Sequence, residues 1–91
     1  MRLPVSYQWN TVETDAVHEI GTSRDVSAAG VYVEADKVPP LHVTVSLELI
    51  LAKAGIRKSG VRLKGQGAVV RIEKNGFAVS LVRAQVLRSQ D

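Results

Sequence analysis

A strict alternation of apolar and polar side chains in the middle of the chain is its most constraining feature. Every second residue from 43 to 51 is Val or Leu: Val43, Val45, Leu47, Leu49 and Leu51. Because successive side chains of a β-strand point to opposite faces, this pattern predicts a strand with one face in a core. A helix over Leu47 to Ala54 is the competing interpretation, and the five apolar residues at a period of two outweigh it. The rest of the chain must therefore supply a sheet in which this strand can pair.

Alternation elsewhere predicts β-structure almost throughout. Further strands are expected at residues 3–10, 18–24, 31–34, 61–73 and 77–81. Connections are expected at residues 13–16, at 36–40, which ends in two consecutive prolines, and at 53–60. Lys74-Asn75-Gly76 is typical of a tight hairpin turn.

The long strand predicted over residues 61–73 carries Gly65 and Gly67 in its middle. Its apolar residues change parity there: Val61 and Leu63 come before the glycines, and Ala68, Val70 and Ile72 come after them. We expect a bulge or sharp bend at the glycines, which is how a strand turns the corner of a small barrel. The predicted fold is all-β, a small six-stranded antiparallel barrel forming a single domain over residues 1–91. Residues 82–91 can add a short C-terminal helix, with Val82, Val86 and Leu87 on one stripe.

The composition describes a chain that can bury an aliphatic core. Hydrophobic residues make up 45% of the 91, with only one Trp, two Tyr and one Phe among them. Cysteine is absent, which excludes disulfides and thiolate metal sites and fits a reducing compartment. No apolar run approaches the roughly 20 residues of a membrane span, and no apolar segment of a signal peptide follows Met1. We therefore expect a soluble, cytoplasmic protein that does not associate with membranes.

The charge is unevenly distributed along the chain. Residues 1–52 hold three basic and seven acidic residues, a balance of −4, whereas residues 53–91 hold nine basic and two acidic residues, a balance of +7. These cations can occupy the solvent faces of amphipathic strands, or they can form a stripe that attracts phosphates. A nucleic-acid surface on a small barrel is one function that such a stripe could serve. The four aromatic residues offer few stacking platforms, so nucleic acid is not the expected partner.

Residues 25–30, Asp25-Val26-Ser27-Ala28-Ala29-Gly30, place a carboxylate, a hydroxyl and a glycine in one turn between two predicted strands. A carboxylate can accept both the N1–H and the N2–H donors of guanine, so Asp25 is a candidate base reader. Ser27 can donate to a phosphate or a base edge, and Gly30 leaves room for a purine. An arginine suits a phosphate or the guanine O6/N7 edge, so Arg24, directly before this turn, is a candidate for a further ligand contact.

This Asp-x-Ser-x-x-Gly pattern, followed by alternating apolar residues, resembles the signature of PilZ domains, which are receptors for the bacterial messenger cyclic di-GMP. The likeness extends in strand spacing from Arg2 to Leu81. It implies a six-stranded barrel and a cyclic di-GMP site formed by Arg2, Arg24, Asp25, Ser27 and Gly30. It also implies an Arg-x-x-x-Arg motif before the first strand. Arg2 has the separation from Asp25 that suits the second arginine, and the first would fall upstream of Met1, so either the natural domain continues there or the site is incomplete.

Each candidate residue also has a purely structural interpretation. Asp25 and Ser27 can cap the turn by bonding nearby backbone amides, Gly30 can serve backbone geometry alone, and Arg24 can be a surface cation. Trp9 is expected in the core or at the rim of the barrel. His18 and His42 are far apart and lack carboxylates at metal-ligand spacing, so no metal and no cofactor is expected.

Three functions remain open from the sequence. The first is a regulatory domain that binds cyclic di-GMP and signals to a protein partner or a fused domain. The second is a PilZ-like interaction domain without nucleotide binding, which docks on a protein in motility or pilus machinery. The third is the basic barrel that binds nucleic acid. No nucleophile and base, and no glycine-rich phosphate loop that opens a helix, stand in a catalytic pattern, so we do not expect an enzyme.

Overall fold

The chain forms a closed barrel of six antiparallel strands in a computed structural model that describes residues 2–10, 17–27, 29–53 and 60–88. The strands are β1 (Pro4–Trp9), β2 (Val17–Val26), β3 (Gly30–Glu34), β4 (Thr44–Lys53), β5 (Gly60–Glu73) and β6 (Gly76–Arg88). Their order around the wall is β1, β2, β3, β6, β5, β4, and β4 pairs back with β1. The predicted all-β fold and the antiparallel six-stranded barrel are confirmed.

The core consists of the alternate apolar residues of the strands. Its fully buried members are Val5, Tyr7, Val31, Val33, Val45, Leu47, Leu49, Val69, Phe77 and Val79. Burying one large apolar side chain contributes about 1.5–3 kcal/mol, so this layer supplies most of the force that closes the wall. The Tyr7 ring stacks on Trp9 with centroids 5.8 Å apart and meets the edge of Phe77 at 5.1 Å. Trp9 is partly buried at the margin of this core, within the range of positions that the sequence predicted.

The change of face in β5 occurs at Val70 and not at the glycines. A register shift does lie at Gly67, but its extra residue is Val82 of β6, because Gln66 pairs with Arg83 and Gly67 with Leu81. Residues 63, 65, 67 and 69 keep one parity and are buried or partly buried. A second shift leaves Val70 as the extra residue of β5, 54% exposed, since Val69 pairs with Val79 and Arg71 with Ala78. The bulge at Val70 moves the residues that follow it to the opposite face.

The helix that the sequence allowed over residues 82–91 is wrong for residues 82–88, which continue β6. Residues 89–91 lie outside the described part. The strand predicted at 77–81 therefore extends further at its C-terminal end. Residues 83–88 continue it because they pair with the first half of the 14-residue β5. Val86, for example, pairs with Leu63. A local stripe of three apolar residues favours a helix only weakly, and strand pairing overrides it.

The connections agree with the sequence where they are described. Residues 36–40 form no strand, and Lys74 and Asn75 make the tight turn that joins β5 to β6. The connection expected at 13–16 and the interior of the one expected at 53–60 lie outside the described residues. In the part of the chain that is described, no helix has the length and apolar character needed to cross a membrane.

Gly67 provides a test of how β5 and β6 approach each other. A Cβ atom at this position would overlap the carbonyl oxygen of Ser80, which is backbone and cannot rotate away. We expect Gly67→Ala to lower the free energy of unfolding by about 1–3 kcal/mol, measured by urea denaturation.

Gly65→Ala is the matched control in the same strand. Its Cβ atom would lie 3.0 Å from the end of the Leu81 side chain, which can move aside, and 3.3 Å from the carbonyl oxygen of Arg83, a milder backbone contact than the overlap at Gly67. An equal loss of stability in the two variants would contradict the assignment of Gly67 as the critical backbone contact.

Tyr7 provides a test of the core at high pH. Its hydroxyl donates to the carbonyl oxygen of Lys37 at 2.5 Å. Burial, together with the negative charges of Glu19 and Asp36, raises the pKa of Tyr7 from its ordinary value of 10.0 to about 12. The unfolded chain therefore loses this proton at lower pH than the folded chain does. Tyr7 contributes this stability fully below pH 10, and the contribution is lost as the pH rises from 10 to about 12.

We expect the free energy of unfolding to fall more steeply over that interval in the wild type than in Tyr7→Phe. Denaturant titrations of both chains at several pH values would measure this difference. Parallel pH profiles would contradict the role of Tyr7, because every other titrating group is common to the two chains.

Candidate functional site

The signature residues stand at the hairpin that joins β2 to β3, and of these Ala28 lies outside the described residues. Asp25 and Val26 end β2, and Gly30 begins β3. The amide of Ser27 donates to the carbonyl oxygen of Gly30 at 2.9 Å, and the amide of Gly30 donates back to Ser27 at 3.3 Å. The Ser27 hydroxyl accepts a hydrogen bond from the amide of Ala29 at 3.3 Å. Ser27 thus stabilises the turn, which is the structural role that its residue type allows.

Gly30 holds this hairpin against β6. A Cβ atom on Gly30 would lie 2.5 Å from the carbonyl oxygen of Val79, so another side chain could not approach β6 this closely. The amide of Leu81 donates to the carbonyl oxygen of Ala29 at 3.0 Å and fixes the turn from the other side. The glycine therefore serves the backbone contact whether or not a ligand is present.

A bulge in β2 turns two neighbouring charged side chains outward. Ser23 pairs with Val33 and Asp25 with Tyr32, which leaves Arg24 as the extra residue. Ser23 is fully buried, whereas the Asp25 side chain is 82% exposed and its Oδ2 lies 3.9 Å from Nε of Arg24. Bulges commonly re-aim side chains beside functional sites. Here the bulge brings a carboxylate and a guanidinium to the same outer surface.

Tyr32 lies beneath two arginines. The guanidinium carbons of Arg24 and Arg71 are 4.9 Å and 5.8 Å from the centroid of its ring, within the range of cation–π attraction. The Tyr32 hydroxyl donates to Oε1 of Glu73 at 3.0 Å, and Nε of Arg71 forms an ion pair with Oε2 of Glu73 at 2.9 Å. Burial and the carboxylate of Glu73 raise the pKa of Tyr32, and the two arginines oppose that shift. The phenol therefore stays a neutral donor at physiological pH.

Arg2 reaches this surface from the segment before β1. Its guanidinium pairs with Oε1 of Glu34, the last residue of β3. The other oxygen of Glu34 lies 3.8 Å from a terminal nitrogen of Arg24. The next residue, Leu3, is fixed to Ser23 by two hydrogen bonds, since each donates its amide to an oxygen of the other, at 3.0 Å and 2.8 Å. Glu34 thus links the two arginines that the sequence singled out.

The hairpin borders a depression of 370 Å³ on the outside of the barrel. We call it the hairpin depression; its lining includes Asp25, Ser27, Gly30, Tyr32, Arg71 and Ser80. Three of the five predicted site residues, Asp25, Ser27 and Gly30, are therefore brought together. Arg24 lies beside them over Tyr32, whereas Arg2 is outside the lining and is connected only through Glu34.

Sequence reasoning missed four residues of this region: Ser23, Tyr32, Glu34 and Arg71. Tyr32 had a detectable signal, because the alternation of β3 places it on the outer face, two residues after Gly30. Arg71 had none, since it is 41 positions beyond Gly30 in the chain and reaches the hairpin only through the pairing of β5 with β6.

Two larger depressions lie elsewhere on the outer surface. One of 450 Å³ includes the side chains of Glu19, Glu48 and Lys64, and one of 580 Å³ includes Lys64 and Arg83. Neither combines a carboxylate with a guanidinium in its lining, as the hairpin depression does. For a ligand that carries both hydrogen-bond donors and negative charge, the smaller depression is the better candidate.

Among the described residues, no group of three or more His, Asp or Glu side chains is arranged to hold a metal ion. Comparisons with models of protein families, with curated proteins and with solved structures gave no match to this chain. The candidate site therefore rests on its own geometry and on the sequence signature.

Gly30 and Ser27 can be distinguished by stability alone. We expect Gly30→Ala to lower the free energy of unfolding by about 1–3 kcal/mol, because its methyl group collides with the backbone of β6. Ser27→Ala should cost about 0.5 kcal/mol, since it removes two long, exposed hydrogen bonds within the turn, one from the amide of Ala29 and one to the carbonyl oxygen of Gly30. Urea denaturation of both variants measures the difference. A larger loss in Ser27→Ala than in Gly30→Ala would contradict these roles.

Proposed function

We propose that this domain binds cyclic di-GMP and passes the signal to a protein partner or a fused domain, in the manner of the PilZ receptors that its signature resembles. One observation carries the proposal: the carboxylate, hydroxyl and glycine of the signature line a single depression that also contains Arg71 and the ring of Tyr32. The proposed setting is the bacterial cytoplasm, and the proposed role is regulatory and not enzymatic.

The chemistry of the depression suits a guanine nucleotide. The exposed carboxylate of Asp25 can accept the N1–H and N2–H donors of a guanine edge in a bidentate manner. Guanidinium groups pair with phosphates through two parallel hydrogen bonds and stack on flat rings. The arginines beside the depression are already held over an aromatic face. A ligand that contains both guanines and phosphates uses all of these groups.

The ion pairs of the free protein define what ligand binding would have to change. Three arginines, Arg2, Arg24 and Arg71, face the carboxylates of Glu34 and Glu73. A phosphate would compete with these carboxylates for the same guanidinium groups. In the proposed mechanism, the Arg2 side chain exchanges Glu34 for the ligand, while Leu3 stays hydrogen-bonded to Ser23. The surface presented to a partner changes as a result.

The proposal predicts that Asp25→Asn weakens the binding of cyclic di-GMP by about one to two decades, because it removes a charge-assisted contact of about 1.5–3 kcal/mol. Isothermal titration calorimetry measures the affinity. Asp36→Asn removes a carboxylate from the exposed connection between β3 and β4 and should leave the affinity unchanged.

Cyclic di-AMP is the matched control ligand, since adenine lacks the N1–H and N2–H donors that Asp25 would read. We expect it to bind more weakly than cyclic di-GMP to the wild type and to be less affected by Asp25→Asn. Absence of heat with cyclic di-GMP in the folded wild-type chain would overturn the proposal.

A docking domain without nucleotide binding is the second candidate. It is favoured by exposed apolar side chains on β6, where Val82 is 79% exposed and Val86 is 56% exposed. Exposed apolar side chains of this kind are available for a contact with another protein. A folded chain that does not bind cyclic di-GMP would support this candidate over the first. The nucleic-acid candidate has no comparable observation in its favour among the described residues.

A further inference from the structure

Arg71 of β5 is the cation that the fold places in the hairpin depression itself. Strand pairing fixes its position: Asp25 pairs with Tyr32, Tyr32 with Ala78, and Ala78 with Arg71. Directly paired residues of antiparallel strands share a face. These four residues therefore form one row across the outside of β2, β3, β6 and β5, with the carboxylate at one end and the guanidinium at the other.

The surface beside Tyr32 is low. Ala78 separates Tyr32 from Arg71 in this row, and in the neighbouring row Gly30 pairs with Ser80, which pairs with Ala68. All the side chains of that second row are small. A flat base or a sugar could thus approach the sheet closely over Ala78 and Ser80, which both line the depression.

Arg71 is positioned for an anion by its own contacts. Its Nε forms an ion pair with Glu73, which in turn accepts a hydrogen bond from the hydroxyl of Tyr32. The guanidinium has two terminal nitrogens besides Nε, and these form the fork that matches a phosphate. The Arg71 side chain is 62% exposed, so a ligand can reach it.

The Arg71 side chain spans part of the row. Three strand spacings of about 4.8 Å separate the backbones of β2 and β5, which is roughly 14 Å along the sheet. The guanidinium carbon of Arg71 nevertheless lies 5.8 Å from the ring centroid of Tyr32, which is the direct partner of Asp25. Because Asp25 and Arg71 both line the hairpin depression, a ligand that occupies it can contact both residues.

We infer that Arg71 binds a phosphate of the cyclic dinucleotide while Asp25 reads a guanine at the opposite end of the row. This inference rests on the proposed function and assigns it a residue from β5, outside the signature and the N-terminal arginines. Arg71 is a binding residue in this role, and Glu73 and Tyr32 are the residues that position it.

Calorimetric titration of the full chain with cyclic di-GMP at low and at moderate salt tests the inference. We expect Arg71→Gln to weaken binding by roughly tenfold or more, because a charge-assisted contact is lost, and to reduce the dependence of affinity on salt. Arg71→Lys should recover only part of the affinity, since an ammonium group keeps the charge but not the planar fork.

Arg83→Gln is the matched control. It removes one exposed arginine from the neighbouring strand, outside the hairpin depression, with the same change in net charge. The affinity of Arg83→Gln for cyclic di-GMP should stay within about twofold of the wild-type value. A charge outside the depression is screened by salt and contributes little to binding. Urea denaturation of every variant checks that each one is folded at the temperature of the titration.

The outcomes separate the inference from the function on which it rests. Binding by the wild type, with equal affinities in Arg71→Gln and Arg83→Gln, would overturn the role of Arg71 and leave the proposed function in place. An equal salt dependence in the wild type and Arg71→Gln would overturn the phosphate contact in the same way. Absence of binding by the folded wild type would overturn both.

Discussion

The contact of two glycines with the backbone of β6 sets the geometry on which the candidate site depends. Gly30 of β3 approaches the carbonyl of Val79 from one side, and Gly67 of β5 approaches the carbonyl of Ser80 from the other. Without these contacts β3 and β5 could not lie so close to the same short stretch of β6. Closure of the barrel then brings the hairpin of residues 25–30 near Arg71, which is far from it in the chain. One steric requirement thus serves both the fold and the site.

The surface around Tyr32 is balanced in charge in the free protein. Each arginine there faces a carboxylate, and these pairs are largely exposed, so each contributes about 0–1 kcal/mol to stability. Pairs of this strength can be exchanged for others at little cost. The arrangement therefore keeps the guanidinium groups ordered near the hairpin. A phosphate could replace their present carboxylate partners.

The fold could be predicted from the sequence to the extent that local patterns determine it. Alternation identified the strands, and Lys74-Asn75-Gly76 identified a turn, because side-chain period and turn chemistry act over a few residues. The helix predicted over residues 82–91 is wrong for residues 82–88, because those residues take their conformation from a partner strand. The change of face in β5 was expected at the glycines and lies at Val70, since a bulge is specified jointly by two strands.

The candidate site could be predicted only in part, for the same reason. The signature lies in one hairpin, so its three residues could be read together from the sequence. Arg71 and Tyr32 join it through cross-strand rows, and the register of those rows follows from closure of the whole wall. Arg24 is turned outward by a bulge that no residue type in β2 indicates.

The two hydrogen bonds between Leu3 and Ser23 reduce the conformational entropy that is lost when Arg2 is immobilised at this surface. They fix the backbone one residue after Arg2, and Ser23 is itself fully buried in the wall. The guanidinium of Arg2 therefore explores only the volume that one side chain can sweep from a fixed point. Immobilising such a side chain costs about 0.5–1.5 kcal/mol, whereas ordering a free segment costs a further 1–2 kcal/mol or so for each backbone residue. The backbone freedom at Leu3 is thus already lost when the barrel folds.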